Sequence, residues 1–165
     1  MNEPKYLIIH HTATLRDKTT FQAVKNYHIS KGWGDIAYHY FITADGWTSE
    51  GRKEKTVGAH CKADNMNYRS IGICLTGNFE KEKPTEEQLG SLLSVIKVLR
   101  NEYNIPKDNV LGHGSVAGAK TLCPGKNLID WLVGYLETDE DSVKHEKIKK
   151  IKSLINEAKS ILNTI

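Results

Sequence analysis

The sequence predicts an α/β domain, because short apolar strands alternate with helical segments along most of its length. The predicted strands are residues 5–10, 37–43, 70–76 and 109–113. The first of them is apolar on both faces, as expected for a central strand of a sheet that is covered on both sides. We therefore assign residues 1–136 to one folded domain and residues 137–165 to a C-terminal helical extension.

Two segments carry the signature of a helix N-terminus, in which a threonine precedes a glutamine by three residues. Thr19 with Gln22 predicts a helix of about twelve residues. Thr85 with Gln88 predicts a longer helix, because apolar residues then recur at helical spacing. The segment ADGW, residues 44–47, predicts a turn between two strands that pair as a hairpin.

The last part of the chain changes in composition after a third predicted helix, which follows Pro124 and Gly125. An acidic hinge at residues 137–142 leads into a lysine-rich pattern with apolar residues in heptad spacing. These residues are Ile148, Ile151, Ile155, Ala158, Leu162 and Ile165. The pattern predicts an amphipathic helix with three alternative roles: it packs on the domain or on a neighbouring molecule, it lets the protein self-associate through residues 143–165, or it links to a further domain.

The composition argues against several classes of protein. The formal net charge of +3 is too small to predict nucleic-acid binding. The sequence also lacks an apolar run of about 18 residues, the length that a membrane span requires. The N-terminal residues carry an acid early and few consecutive apolar residues, so we expect synthesis in a cytoplasm without a signal peptide. The odd number of cysteines, three, argues against a disulfide framework.

Histidines and a cysteine lie where the predicted strands end. His10 closes the first strand, His113 closes the last one, and Cys123 follows in a loop that Pro124 and Gly125 terminate. If those two strands are neighbours, the three side chains could converge at one edge of the sheet. Two histidines and one cysteine would leave one position of a tetrahedral zinc ion open, as in catalytic sites. The ligands are scattered along the chain, so their spacing alone leaves the zinc site as one alternative.

Four segments together resemble the zinc-dependent N-acetylmuramoyl-L-alanine amidase family, which includes phage endolysins, bacterial autolysins and animal peptidoglycan recognition proteins. The segments are LIIHHTAT (7–14), GWGDIAYHYFITADG (32–46), VGAHCKADNMNYRSIGICLTGNF (57–79) and GHGSVAGAKTLCPGKNL (112–128). The resemblance covers roughly residues 5–136. It implies a mixed central β-sheet flanked by helices, a zinc ion at one end of the sheet and a groove for bacterial peptidoglycan.

Matched residue by residue, the resemblance implies that His10, His113 and Cys123 bind one zinc ion per chain. Tyr38 corresponds to the family's catalytic tyrosine. The group that stabilises the oxyanion is Thr121 or Lys120. If the register of the first motif were different, His11 would replace His10 as the ligand.

The resemblance also suggests residues that contact the substrate. They are His60, Trp33, Asn65, Asn67 and Arg69. His60 could equally have a structural role, and the residues around Asn65 could simply cap the following strand.

We expect the remaining histidines and cysteines to occupy packed, solvated or supporting positions. We expect His39 to be packed or to lie behind the ligands, and we expect His28 and His145 to lie on solvated helix faces. We expect Cys74 to be a small buried residue of a strand and Cys61 to be a free thiol.

Three functions fit these expectations. The first is an amidase that cuts between the lactyl group of N-acetylmuramic acid and L-alanine, working as a phage or prophage endolysin on the cell wall. The second is a catalytically silent peptidoglycan-binding module, and the third is an intracellular amidase that recycles soluble muropeptides. A silent module is expected to lack a ligand, and the presence of Cys123 therefore favours an enzyme.

Overall fold

The computed structural model describes residues 1–138 and 149–155. The strands are β1 (Tyr6–His11), β2 (Tyr40–Ile42), β3 (Thr48–Glu50), β4 (Ser70–Leu75) and β5 (Val110–Gly112). The helices are α1 (Phe21–Ser30), α2 (Glu86–Tyr103) and α3 (Lys126–Glu137). Residues 149–155 are also helical.

The strands form one five-stranded mixed sheet in the order β3-β2-β4-β1-β5. Strand β1 pairs in parallel with both β4 and β5, and β2 pairs in parallel with β4. Only the β2–β3 pair of this sheet is antiparallel. Leu7, Ile8 and Ile9 are fully buried, which confirms that β1 is a central strand covered on both faces.

The parallel pairing of β1 with β5 brings two predicted strand ends together. Ile9 stands opposite Gly112 in the register. His10 is the residue after Ile9 and His113 is the residue after Gly112, so both lie at the same edge of the sheet. The carboxyl edge of a parallel sheet is where α/β proteins commonly build their sites, because the scaffold is rigid and the strand ends are exposed.

Strand β2 is shorter than the predicted strand over residues 37–43. The physical reason lies at His39, whose Nδ1 accepts the hydrogen bond of the Gly72 backbone N–H at 2.9 Å. That donor belongs to the neighbouring strand, so the side chain takes a bond that a longer β-ladder would use. The predicted hairpin is confirmed, since β2 pairs antiparallel with β3 across residues 43–47.

The two predicted helix starts differ in outcome. Helix α2 has the full capping box, in which Gln88 N–H donates to Thr85 Oγ1 at 3.0 Å and Thr85 N–H donates to Gln88 Oε1 at 3.2 Å. The predicted cap of α1 at Thr19 is wrong, because Thr20 accepts from Ala23 N–H instead. The Thr19 hydroxyl donates to Leu15 O in the preceding turn and is therefore already engaged.

The chain divides into two compact units, Met1–Leu132 and Val133–Ile165. The division predicted at residues 136–137 stays a prediction. In the second unit, Ile151 and Ile155 of the predicted heptad pattern are exposed. Its other members, Ile148, Ala158, Leu162 and Ile165, lie outside the described residues, and self-association through residues 143–165 stays a prediction. Among the described residues, no helix has the length and hydropathy required to cross a membrane.

Candidate functional site

His10, His113 and Cys123 come together at the carboxyl edge of the sheet. One ligand atom from each residue lies within 4.8 Å of the other two, so the three side chains could hold a metal ion. Within residues 1–138 and 149–155, these three residues form the group of histidine, cysteine or acidic side chains that could hold a metal ion. His10 is buried, whereas His113 and Cys123 are half-buried and form the more open side of the cluster.

The loop between His113 and Cys123 is closed by hydrogen bonds at its two ends. Gly114 N–H donates to the Cys123 carbonyl at 2.6 Å, and Cys123 N–H donates to Thr121 Oγ1 at 3.1 Å. A side chain at position 114 would place its Cβ 2.6 Å from the Thr121 carbonyl oxygen, which only glycine avoids. The loop therefore brings Cys123 back to the strand end that carries His113.

Each ring nitrogen of His10 faces a different neighbour. Nδ1 lies 3.6 Å from Cys123 Sγ, and Nε2 lies 3.0 Å from His60 Nδ1. Because Nε2 is engaged by His60, Nδ1 is the atom that His10 could offer to a metal. His11 lies on the opposite face of the strand, where its Nδ1 accepts from Phe79 N–H at 3.2 Å, so it is not part of this cluster.

Burial keeps the cluster uncharged when no metal is bound. It raises the pKa of the Cys123 thiol to about 12, although the His11 N–H that donates to Sγ at 3.4 Å opposes this. Burial also lowers the pKa of His10, an effect that the neighbouring His60 and His113 strengthen. The pKa of His113 is lowered by burial as well. The cluster is thus a neutral thiol with two neutral imidazoles at pH 7, and a bound cation would compensate the charge of a thiolate.

Tyr38 reaches the cluster from the segment before β2. Its ring centroid lies 5.2 Å from that of His10. Burial raises the pKa of its hydroxyl well above the usual value, and the nearby thiols of Cys74 and Cys123 act in the same direction. The hydroxyl therefore stays protonated at neutral pH, which suits a group that donates a hydrogen bond.

Thr121 and Lys120 lie in the exposed part of the loop before Cys123. The Thr121 hydroxyl accepts from Cys123 N–H and keeps its own proton for donation. This contact ties Thr121 to Cys123, one of the three residues that could hold a metal ion. Which of the two residues serves the reaction stays a prediction.

The predicted substrate residues lie in different environments. Asn65 is exposed and has a positive φ of 54°. Arg69 pairs with Asp64 and lies over the ring of Tyr6, with 5.0 Å between the guanidinium carbon and the ring centroid. Trp33 is 42% exposed. Their contact with a substrate stays a prediction.

Two further predicted substrate residues take part in internal contacts. Asn67 Oδ1 accepts from His60 N–H and from Cys61 N–H, each at 2.8 Å. His60 itself is only 8% exposed and its ring is directed at His10. Both residues have structural contacts, and their role in substrate binding stays a prediction.

The expectation that His28 is solvated is wrong, because only 6% of it is exposed. Its ring stacks on Trp33 at 4.8 Å and meets Tyr38 edge-on at 5.5 Å, and its Nδ1 accepts from Ala37 N–H at 3.1 Å. His28 therefore supports the segment that carries Tyr38. The signal was present in the sequence: Phe21, Val24 and His28 follow helical spacing, and the first two pack on the core.

The expected positions of His39, Cys74 and Cys61 are confirmed. His39 is fully buried, and its Nε2–H donates to the Thr56 carbonyl at 3.0 Å. Cys74 is buried in β4, and Cys61 is a free thiol. His145 lies outside the described residues.

Comparison with known proteins identifies the family. Residues 1–126 match the Amidase_2 family, described as N-acetylmuramoyl-L-alanine amidase. The endolysin of Enterobacteria phage K11 is 32% identical over 145 residues, which cover 84% of this chain and 92% of that protein. Peptidoglycan-recognition protein SC2 of Drosophila melanogaster is 35% identical over 135 residues, covering 77% of this chain and 71% of that protein.

The fold is shared with solved structures of the same kind. The N-acetylmuramoyl-L-alanine amidase LysC from Clostridium intestinale is 34% identical, with a TM-score of 0.73 over 84% of this chain and 88% of that one. Drosophila PGRP-LB is 30% identical, with a TM-score of 0.69 over 80% of this chain and 81% of that one. The sequence match over residues 1–126 and the shared fold agree, and the chain belongs to the N-acetylmuramoyl-L-alanine amidase family.

Proposed function

We propose that the protein is a zinc-dependent N-acetylmuramoyl-L-alanine amidase that hydrolyses bacterial peptidoglycan as a phage or prophage endolysin. The substrate bond is the amide between the lactyl group of N-acetylmuramic acid and L-alanine. The observation that carries the proposal is the convergence of His10, His113 and Cys123 beside Tyr38.

The distance between His10 and Cys123 fits a zinc ion. A tetrahedral zinc with bonds of about 2.3 Å to sulfur and about 2.1 Å to nitrogen holds those two ligand atoms about 3.6 Å apart. His10 Nδ1 and Cys123 Sγ are separated by 3.6 Å. The donor set of two imidazoles and one thiolate also suits zinc, and three protein ligands leave one position open for chemistry.

The protein side chains support hydrolysis of an unreactive amide. When bound, zinc supplies a water of lowered pKa and polarises a carbonyl group. Tyr38 carries a protonated hydroxyl beside His10, and it is suited to donate a hydrogen bond to the oxygen on which negative charge develops. The same hydroxyl can hold and pass on the proton that the departing amine of alanine requires.

The loop before Cys123 offers a second donor to the developing oxyanion. Thr121 is held by Cys123 N–H, and Lys120 precedes it in the exposed part of the loop. A donor of this kind is typically worth about 2.7–4 kcal/mol of activation free energy. We assign this role to one of these two residues.

The alternatives are a silent peptidoglycan-binding module and an intracellular recycling amidase. Peptidoglycan-recognition proteins are among the relatives, so the first alternative has a specific basis. The intact set of His10, His113 and Cys123 favours an enzyme, and the similarity to phage endolysins over most of the chain favours action on the wall.

The proposal is tested by giving the purified protein intact bacterial walls and, separately, soluble muropeptides, and identifying the products by mass spectrometry. An endolysin releases free stem peptides from intact walls. Cleavage of soluble fragments alone would favour the recycling amidase. Binding to walls without any cleaved amide would favour the silent module.

Zinc uptake is expected to release at least one proton at pH 7. The Cys123 thiol has its pKa raised to about 12 by burial, so it must lose a proton to become a ligand. The pKa values of His10 and His113 are lowered, so both are already neutral. The conditional zinc affinity therefore rises about tenfold per pH unit above about pH 6.5. Calorimetry in buffers of different ionisation enthalpy measures the released protons, and none released would mean that Cys123 is already a thiolate.

Removal of residues 138–165 is expected to leave zinc affinity and stoichiometry unchanged. The three ligands and Tyr38 all belong to the unit Met1–Leu132. Zinc titration of the shortened and full-length proteins tests this expectation. Loss of the bound ion on truncation would show that the catalytic domain extends beyond the predicted boundary.

A further inference from the structure

His60 is the neighbour that engages the second ring nitrogen of His10. Its Nδ1 lies 3.0 Å from His10 Nε2, and the two rings meet edge-on with their centroids 5.0 Å apart. Both side chains are buried. A hydrogen bond in such a place, shielded from water, constrains the ring orientation of both partners.

The surrounding backbone forms a slot for the His60 ring. A Cβ atom at Gly58 would lie 2.5 Å from His60 Cδ2, and one at Gly72 would lie 2.6 Å from His60 Cγ. Asn67 fixes the main chain on the other side, because its Oδ1 accepts from His60 N–H at 2.8 Å. The position of the ring is thus set by Gly72 of β4, by Gly58 and by Asn67.

The direction of the hydrogen bond follows from the role of His10. Nδ1 of His10 faces Cys123 Sγ and must carry no proton when it binds a metal. A neutral His10 then has its proton on Nε2, so Nε2–H donates and His60 Nδ1 accepts. The proton of His60 is then on Nε2, a buried atom for which the structure shows no hydrogen-bond partner among the described residues.

We propose that His60 is a positioning residue for the metal centre, which accepts the Nε2–H of His10 and so aims the lone pair of His10 Nδ1 at the ion. The inference rests on the proposed function, since it assumes that His10 is a zinc ligand. It gives His60 a task behind the ligand, in place of a contact with substrate. Partners of this kind fix the tautomer and orientation of a metal-binding histidine and raise its basicity.

Two variants of nearly equal shape separate this role from simple packing. Asparagine in His60→Asn can keep an acceptor oxygen near the position of Nδ1, whereas leucine in His60→Leu has the same branching and no acceptor. Zinc dissociation constants of the full-length proteins are measured by competition with a chromophoric chelator. Thermal unfolding of the metal-free proteins is recorded in parallel.

We expect His60→Leu to bind zinc about 10–100-fold more weakly than the wild type, and His60→Asn to recover most of that loss. A packing role alone would lower the unfolding temperatures without separating the two zinc affinities. Equal zinc affinities for the two variants would therefore overturn the proposal. Absence of zinc binding by the wild type would instead overturn the proposed function itself.

The tautomers of the wild-type protein provide a measurement that depends on no variant. Long-range proton–nitrogen correlation spectra of the ¹⁵N-labelled, metal-free protein distinguish Nδ1–H from Nε2–H for each histidine. We expect His10 as the Nε2–H tautomer, with His60 Nδ1 unprotonated. A proton on Nδ1 of His60, donated to His10, would overturn the proposal even if neither variant folds.

Discussion

Replacement of Cys123 by serine is expected to abolish zinc binding and amidase activity together while the protein stays folded. A serine hydroxyl does not ionise at neutral pH, so the site loses its one anionic ligand. A catalytic metal ion typically lowers the barrier by several kcal/mol, so we expect the rate to fall by about three orders of magnitude or more. Bound zinc is measured by metal analysis after gel filtration, and activity by release of peptide from purified walls.

Cys61→Ser is the matched control for this prediction. Cys61 is also a free thiol, but it is buried in a core cluster with Ile8, Met66 and Val116. Its replacement should cost some stability and leave zinc stoichiometry unchanged. Wild-type activity in Cys123→Ser would move the catalytic site away from this edge of the sheet.

Tyr38→Phe is expected to lower kcat by about 10²–10³-fold with little change in zinc affinity. The hydroxyl is no ligand in the proposed site, and its removal leaves the ring contact with His10 in place. The loss should appear in kcat, because a donor to developing charge acts in the transition state more than in the bound substrate.

Tyr40→Phe tests whether the effect is specific to Tyr38. The Tyr40 side chain belongs to β2, its hydroxyl donates to Glu54, and it is not one of the residues that could hold the metal. We expect this variant to keep the wild-type kcat. Similar kcat values for Tyr38→Phe and the wild type would remove Tyr38 from the reaction.

The fold was predictable from the sequence mainly where local signals were strong. The run at residues 5–10 is apolar on both faces, and β1 is indeed a central strand with neighbours on both sides. The capping box of Thr85 and Gln88 marked the start of α2 correctly. At Thr19 and Thr20, two adjacent threonines offered the same cap, and only the turn from Leu15 decides between them.

The candidate metal ligands were predictable as residue types, two at strand ends and one in a loop, but their convergence was not. That depends on β1 and β5 being neighbours in the sheet and on the closure of the loop by Gly114. Neither feature has a local sequence signal. The resemblance to a family supplied what the spacing alone left open.

The supporting histidines were the hardest to predict. His60 contacts His10, which lies 50 residues away in the sequence. His28 contacts Tyr38, which lies outside helix α1. For His60 the relevant signal is the space left by Gly58 and Gly72, which has meaning only once the chain is folded. His28 could have been found from the helical spacing that it shares with Phe21 and Val24.

The most direct test of the account is to identify new N-terminal residues on purified bacterial walls after treatment with the protein. The protein is used as purified, after chelation, and after chelation followed by addition of zinc. We expect new N-terminal alanine with the first, none with the second, and its return with the third. Cleavage that persists without metal, or walls that bind the protein and yield no new N-terminal alanine, would contradict the account of a zinc amidase.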